Sequence, residues 1–103
     1  MKELIQSLNR LLLEKSRNPY AKFIEKKSIV PEQFKAYKRM TIELYLHIPN
    51  KNIKCVSAQV SVNTSNLSEN LIWREAETHF CYEVIKWIMS GGFKETVDGL
   101  QME

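Results

Sequence analysis

The most regular pattern in the sequence is an alternation of apolar and polar residues within the segment 40–49. Its apolar members lie two residues apart: Met40, Ile42, Leu44, Leu46 and Ile48. A period of two places these side chains on one face, which is typical of a strand with one buried side. Pro49 and the polar residues 50–52 have turn chemistry, and an extended pattern resumes over 53–62. The pattern therefore predicts a β-hairpin at the centre of the fold.

Two other segments have the spacing of amphipathic helices. The first runs from Met1 to about Arg17, and its apolar residues recur three or four apart: Leu4, Ile5, Leu8, Leu11 and Leu12. The second runs from about Glu69 to Met89, with Ser68 as its predicted N-cap and Ser90-Gly91-Gly92 as its end. Its apolar stripe comprises Ile72, Trp73, Ala76, Phe80, Val84, Trp87 and Ile88.

The remaining segments have weaker patterns. We expect a short irregular strand at 20–29, a helical turn or a polar loop at 31–37, a turn-rich segment at 61–69, and a C-terminal tail without periodicity at 93–103. The resulting prediction is one α+β domain spanning residues 1–103. Its elements follow the order α-β-β-β-α, with two helices packed on one face of an antiparallel sheet.

Charge is distributed unevenly along the chain. Residues 1–40 carry ten Lys and Arg against four Glu, a net +6, whereas residues 41–103 carry five basic against eight acidic residues, a net −3. The basic half is compatible with nucleic acid or an acidic partner, and equally with a solvated face. Two cysteines without a C-x-x-C pair, and no apolar run long enough for a signal peptide or a membrane span, predict an intracellular protein with reduced thiols.

The residue types that bind zinc are present, but their spacing does not favour a metal site. His47 and Cys55 fall on different predicted strands, and His79 and Cys81 are two apart on a helix, so they point about 200° from each other. The sequence also lacks a phosphate-binding Gly-rich loop, a G-x-S-x-G motif and an H-E-x-x-H motif. We therefore expect neither an enzyme nor a cofactor, metal or small-molecule site, and we interpret the chain as a binding module.

The predicted layout resembles the double-stranded RNA-binding domain (dsRBD), and within that superfamily it is similar to the Dicer dimerisation domain. Four features carry the resemblance: the opening helix with Leu4-Ile5 and Asn9-Arg10 followed by Asn18-Pro19-Tyr20, the strand with Leu44-Tyr45-Leu46 and Ile48, the helix with Ala76 that ends in 85–89, and the segment 92–100 with Asp98. The resemblance implies a module of the RNA-silencing machinery that docks a dsRBD-type protein or associates with itself.

The sequence departs from dsRBDs that grip duplex RNA. Such domains carry a lysine cluster at the start of the second helix, where this chain has Arg74 beside Glu75 and Glu77. The Gly-Pro-x-His loop that reaches the minor groove is also missing, and only Val30-Pro31-Glu32 stands near it. We therefore expect docking of a protein partner rather than a duplex, through a sheet edge and the outward strand residues Tyr45 and His47, with Ser57 and Gln59 across from them.

Two other functions remain open at this stage. In one, the basic half binds single-stranded or structured RNA through seven candidate contacts: Lys22, Lys26, Lys27, Lys35, Lys38, Arg39 and Arg74. In the other, the chain is a small stand-alone inhibitor from a pathogen or phage, which its length permits and no motif excludes.

Overall fold

A computed structural model describes residues 2–16, 18–31, 37–63 and 69–101 of the chain. Its elements, in chain order, are α1 (Lys2–Lys15), β1 (Lys22–Pro31), β2 (Tyr37–Ile48), β3 (Lys51–Asn63), α2 (Glu69–Met89) and α3 (Gly92–Gln101). The α+β class and the order α-β-β-β-α are confirmed, with one further helix at the end. The candidate contact Lys35, the predicted N-cap Ser68 and most of the predicted loop at 31–37 lie outside the described residues.

The three strands form one antiparallel sheet with β2 in the middle and β1 and β3 at the edges. The central hairpin is confirmed: a two-residue turn, Pro49-Asn50, joins β2 to β3, because Ile48 pairs with Lys51. Asn50 has a φ of 69°, in the left-handed region that asparagine accepts more readily than most residues. Turn chemistry therefore fixes the point at which the hairpin reverses.

The alternating apolar residues of β2 face the helices. Ile42, Leu44 and Leu46 are at most 1% exposed, and they belong to one core cluster with residues from all three helices. The helical members of that cluster are Leu8, Leu12, Ala76, Phe80, Val84, Phe93, Val97 and Leu100. The helices thus cover one face of the sheet, as the sequence pattern predicts, and the other face is left for contacts outside the core.

The predicted tail at 93–103 is the clearest correction, because residues 92–101 form α3. Phe93, Val97 and Leu100 follow the spacing i, i+4, i+7 and are all buried. Three apolar residues in ten give a signal that is easily overlooked in sequence. Gly91, with a φ of 90°, ends α2 and lets the chain turn directly into α3.

The first strand is more regular than predicted, and it lies two residues later in the chain. The strand expected at 20–29 is confirmed as β1, but its expected irregularity was wrong, since β1 pairs with β2 without interruption from Lys22 to Pro31. Its lysines obscure the pattern, because they take positions on both faces of an edge strand where their charged ends reach solvent. Pairing with β2 overrides the weak local preference of this segment.

Candidate functional site

The described helices do not cover the sheet face that points away from them. Alternation and register place three rows of side chains on it. The rows are Lys22, Ile24, Lys26, Ser28 and Val30 on β1, Arg39, Thr41, Glu43, Tyr45 and His47 on β2, and Asn52, Lys54, Ser57, Gln59 and Ser61 on β3. We call these residues the outer face. All four residues predicted to bind a partner lie on it.

The predicted pairing across the hairpin was wrong in register. Ser57 lies opposite Glu43 and Gln59 opposite Thr41, whereas Tyr45 faces Lys54 and His47 faces Asn52. The two-residue turn sets the partners of Tyr45 and His47, and beyond them a β-bulge inserts Cys55 as one extra residue between the pairs Leu44↔Val56 and Tyr45↔Lys54. The extra residue places Ser57 and Gln59 on the outer face, opposite Glu43 and Thr41, so Tyr45 and His47 form one group and Ser57 and Gln59 another.

The imidazole of His47 is held in place by its cross-strand neighbour. Nδ1 of His47 lies 2.6 Å from Oδ1 of Asn52, and because a side-chain amide oxygen can only accept, Nδ1 is the donor. This hydrogen bond fixes the ring orientation on the outer face and leaves Nε2 for other partners. Tyr45, on the same strand two residues before His47, is likewise partly exposed.

The candidate RNA contacts do not form one patch. Lys22, Lys26 and Arg39 lie on the outer face, but Lys27 lies on the helix side, where its Nζ is 2.9 Å from Oε1 of Glu77 and 5.5 Å from the ring centroid of Trp73. The other two described contacts are also away from the outer face: Lys38 shares the side of Met40 on β2, and Arg74 is exposed on α2. The predicted basic surface is therefore divided between two sides of the sheet.

The free edge of β1 is blocked near its start by a side chain of α1. Asn9 Oδ1 accepts from the backbone N–H of Phe23 at 2.6 Å, and Asn9 Nδ2 donates to the Phe23 carbonyl at 3.1 Å. Both backbone groups of Phe23 therefore point away from β2, and alternation turns those of Glu25 and Lys27 the same way. After Phe23, this edge carries the exposed charged residues 25–27 and ends in Pro31, and both features disfavour pairing with another strand.

The free edge of β3 has the opposite character. The odd-numbered residues of β2 form their backbone hydrogen bonds with β1, so its even-numbered residues form theirs with β3. Their partners on β3 are Val56, Ala58 and Val60. The backbone groups of Ser57 and Gln59, which lie between these partners, therefore point outward. From Cys55 to Asn63 the strand has no charged residue, no proline and no glycine. Two of the devices that protect sheet edges, charge and proline, are not found from Cys55 to Asn63 on β3.

An open groove separates the bulge of β3 from the end of α2. Cys55, Val56 and Ser57 line one side, and the other side is formed by Glu83, Lys86, Trp87 and Ser90. Burial raises the pKa of the Cys55 thiol, an effect that the backbone N–H of Leu46 partly offsets. The thiol at this groove is therefore held in its protonated, weakly nucleophilic form at neutral pH.

We expect Cys55 to react slowly with a thiol-alkylating reagent at neutral pH in the native protein and rapidly in denaturant. Its reactive thiolate is disfavoured by burial, and unfolding removes that penalty. Mass spectrometry of the labelled peptides over time measures both rates in one sample. Equal native and denatured rates at Cys55 would contradict the assignment of a shielded thiol.

Two other kinds of feature, a metal site and a membrane-spanning helix, are not found among the described residues. These residues contain no group of three or more His, Cys, Asp or Glu side chains arranged to hold a metal ion. Among the helices that the structure describes, none combines the length and the apolar character needed to cross a membrane. Comparison of the chain with protein-family models, with curated proteins and with solved structures finds no match.

Proposed function

We propose that this chain is a non-catalytic, dsRBD-like module that docks a protein through the free edge of β3. The partner is a dsRBD-type protein or a second copy, and the setting is an RNA-silencing complex, as the resemblance to the Dicer dimerisation domain implies. The observation that carries the proposal is the uncharged edge from Cys55 to Asn63, with the backbone groups of Ser57 and Gln59 turned outward. A partner strand can complete the hydrogen bonds of such an edge.

The start of α2 supports a protein partner over duplex RNA. Duplex binding by a dsRBD requires cations here, because phosphates would meet the side chains and the helix N-terminus. Arg74 is followed by Glu75 and Glu77. Glu77 forms an ion pair with Lys27 of β1, on the helix side of the sheet. A helix start with this charge pattern attracts phosphates weakly.

The contrast between the two edges indicates which one a partner uses. On β1, Asn9 occupies the backbone groups of Phe23, and the exposed charges of Glu25 and Lys26 would lose water if another strand paired with this edge. On β3, the exposed side chains of Ser57 and Gln59 are small or neutral, so a strand can approach without removing a charge from water. Each backbone hydrogen bond added at this edge contributes about 1 kcal/mol.

A second surface for the same function lies on α2. Tyr82, Ile85 and Met89 recur at helical spacing, and 61%, 51% and 82% of their surfaces are exposed. A stripe of exposed large apolar residues is a usual feature of protein interfaces. The sheet edge is the primary proposal because it offers directed backbone groups as well as area, and a variant of Ile85 separates the two surfaces.

We expect Gln59→Pro to abolish docking while leaving the fold intact. The Gln59 N–H points away from β2, so proline removes a donor that only an added strand would use. Glu25→Pro is the matched control, because the Glu25 N–H points outward from the other edge. Sedimentation velocity across a wide range of concentrations measures self-association, and pull-down with a panel of purified dsRBD proteins measures hetero-association.

The outcomes distinguish the surfaces. Loss of association in Gln59→Pro, with association kept in Glu25→Pro and Ile85→Glu, supports the β3 edge. Loss only in Ile85→Glu assigns docking to α2 and overturns the edge. A monomeric protein that retains no dsRBD protein overturns the function itself, provided that circular dichroism shows each variant to be folded.

A further inference from the structure

We infer that the outer face binds single-stranded nucleic acid, with the rings of Tyr45 and His47 as stacking surfaces and neighbouring lysines as phosphate contacts. This site is separate from the β3 edge and does not depend on the docking proposed above. The described helices pack on the opposite side of the sheet, and Tyr45 and His47 are partly exposed on the outer face, where a flat ligand can reach them.

The two rings lie side by side on the central strand. Residues two apart on a strand share a face and are separated by about 7 Å, a distance that two neighbouring nucleotides of an extended strand can span. Both rings are partly exposed, and the hydrogen bond from His47 to Asn52 holds the imidazole in one orientation. Stacking of a base on an aromatic side chain is sequence-tolerant and contributes about 1–3 kcal/mol per base.

Lysines stand directly beside both rings. Lys22 is the cross-strand neighbour of His47 on one side of β2, and Lys54 is the neighbour of Tyr45 on the other. With Lys26 and Arg39, the outer face carries four cations, against one carboxylate, that of Glu43. This excess of positive charge is complementary to a phosphate backbone.

The single carboxylate does not cancel this charge. Lys54 Nζ lies 3.3 Å from Glu43 Oε2, so these two groups neutralise each other. Neither Lys22 nor Lys26 has an acidic partner among the side chains that the structure describes, and both are exposed. Two cations on β1 are therefore available to follow a phosphate backbone that runs beside the rings.

The arrangement favours a single strand over the other polyanions. In a duplex the bases are stacked on one another, so their faces are not available to Tyr45 and His47, whereas an unpaired strand presents both bases and phosphates. An acidic protein segment would use the lysines but would gain little from the two rings. The combination of rings and cations is what selects the ligand class.

We expect a fluorescein-labelled, unstructured oligouridine to bind the wild-type protein at low salt. Tyr45→Leu should weaken this affinity about tenfold, and Tyr45→Phe should have little effect on it. Leucine keeps an apolar side chain suited to the sheet but removes the ring, so the matched pair isolates stacking. Lys22→Glu combined with Lys26→Glu should weaken binding and flatten the dependence of log affinity on log salt by about two. Fluorescence anisotropy measures all of these constants.

The control for charge is Lys2→Glu combined with Arg10→Glu, an equal change of net charge on α1 at two exposed positions. Binding that falls equally in this control and in the Lys22 and Lys26 variant would show non-specific attraction and overturn the inference. So would an absence of binding by the wild type, an unchanged affinity in Tyr45→Leu, or tighter binding of a blunt RNA duplex than of the single strand. If Tyr45→Leu alters only protein association, the outer face is a protein interface and the inference fails.

The test is independent of the docking proposal. Gln59→Pro is expected to abolish association through β3 and to leave the oligouridine affinity within about twofold, because Gln59 lies opposite Thr41, away from the two rings. Tyr45→Leu is expected to do the reverse. Failure of one proposal is thus visible without failure of the other.

Discussion

Gly92→Ala is expected to lower the free energy of unfolding by about 2 kcal/mol or more, because there is no room for a methyl group at this position. A Cβ built on Gly92 would overlap the Cδ1, Nε1 and Cγ atoms of the Trp87 indole. The indole cannot move aside easily, since Phe23 and Phe93 pack against it with ring centroids 5.9 Å and 6.1 Å away. A loss of this size would lower the Tm by about 10 °C in a domain of this length.

Gly99→Ala is the matched control for this prediction. Gly99 lies in the same helix, and a Cβ there would meet nothing within 4 Å. Alanine has the higher helix propensity, so we expect Gly99→Ala to leave the Tm unchanged or to raise it slightly. Thermal unfolding followed by circular dichroism compares the two variants. Equal melting temperatures would contradict the close contact between Gly92 and Trp87.

The expected effect is large because this contact joins three elements. Phe23 comes from β1, Trp87 from α2 and Phe93 from α3, and the three rings form one cluster with centroids about 6 Å apart. The two contacts of Trp87 are edge-to-face, and such contacts add about 1 kcal/mol each to the energy of burial. Because Phe23 of β1 contacts both Trp87 and Phe93, a displaced Trp87 ring in Gly92→Ala would also disturb the packing of β1.

The sequence predicts most of this framework because two of its periodic patterns belong to the surfaces on which β2 and α2 pack together. The alternation from Met40 to Ile48 and the helical spacing from Trp73 to Trp87 both describe side chains that the structure buries or partly buries. Such patterns are local, so they can be recognised in the sequence without knowledge of the fold. The α+β class follows from them directly.

The features that were missed depend on partners distant in sequence. The bulge at Cys55 becomes visible only when β3 is set against β2, although Ile53 and Val56, both in contact with the core, break strict alternation and were a signal. Lys27 is assigned to the helix side by Glu77, fifty residues away. Counts of charge along the chain could not show that the candidate RNA contacts lie on two different surfaces.

Asn9 is the most informative of these missed residues. In the sequence it is one polar position beside the apolar stripe of α1, and only the structure shows that its amide completes the hydrogen bonds of Phe23. A side-chain amide can both donate and accept, so it reproduces the two contacts that a neighbouring strand would make. Asn9 therefore prevents another strand from pairing with the backbone groups of Phe23.

We expect Asn9→Ala to lower the free energy of unfolding by about 2–3 kcal/mol, because it leaves the N–H and C=O of Phe23 without partners at a residue that is 1% exposed. Chemical denaturation measures this loss, and hydrogen exchange at the Phe23 amide should accelerate in the variant. Arg10→Ala, at the adjacent exposed position of α1, is the control and should change stability by less than about 0.5 kcal/mol. A Phe23 amide that stays equally protected would contradict the role assigned to Asn9.

Asn9→Asp sharpens the test, because its stability should depend on pH in a direction that only this geometry requires. An ionised carboxylate can accept from the Phe23 N–H but repels the Phe23 carbonyl, whereas the neutral acid can accept from one and donate to the other. The repulsion from the carbonyl favours the neutral acid and raises its folded-state pKa above the unfolded value. A group raised in this way contributes its stability below the unfolded pKa, near pH 4, and loses it as the pH rises through the folded pKa. Relative to Asn9→Ala at each pH, Asn9→Asp should therefore be more stable near pH 4 than near pH 7, and an opposite trend would show that the N–H contact alone governs this edge.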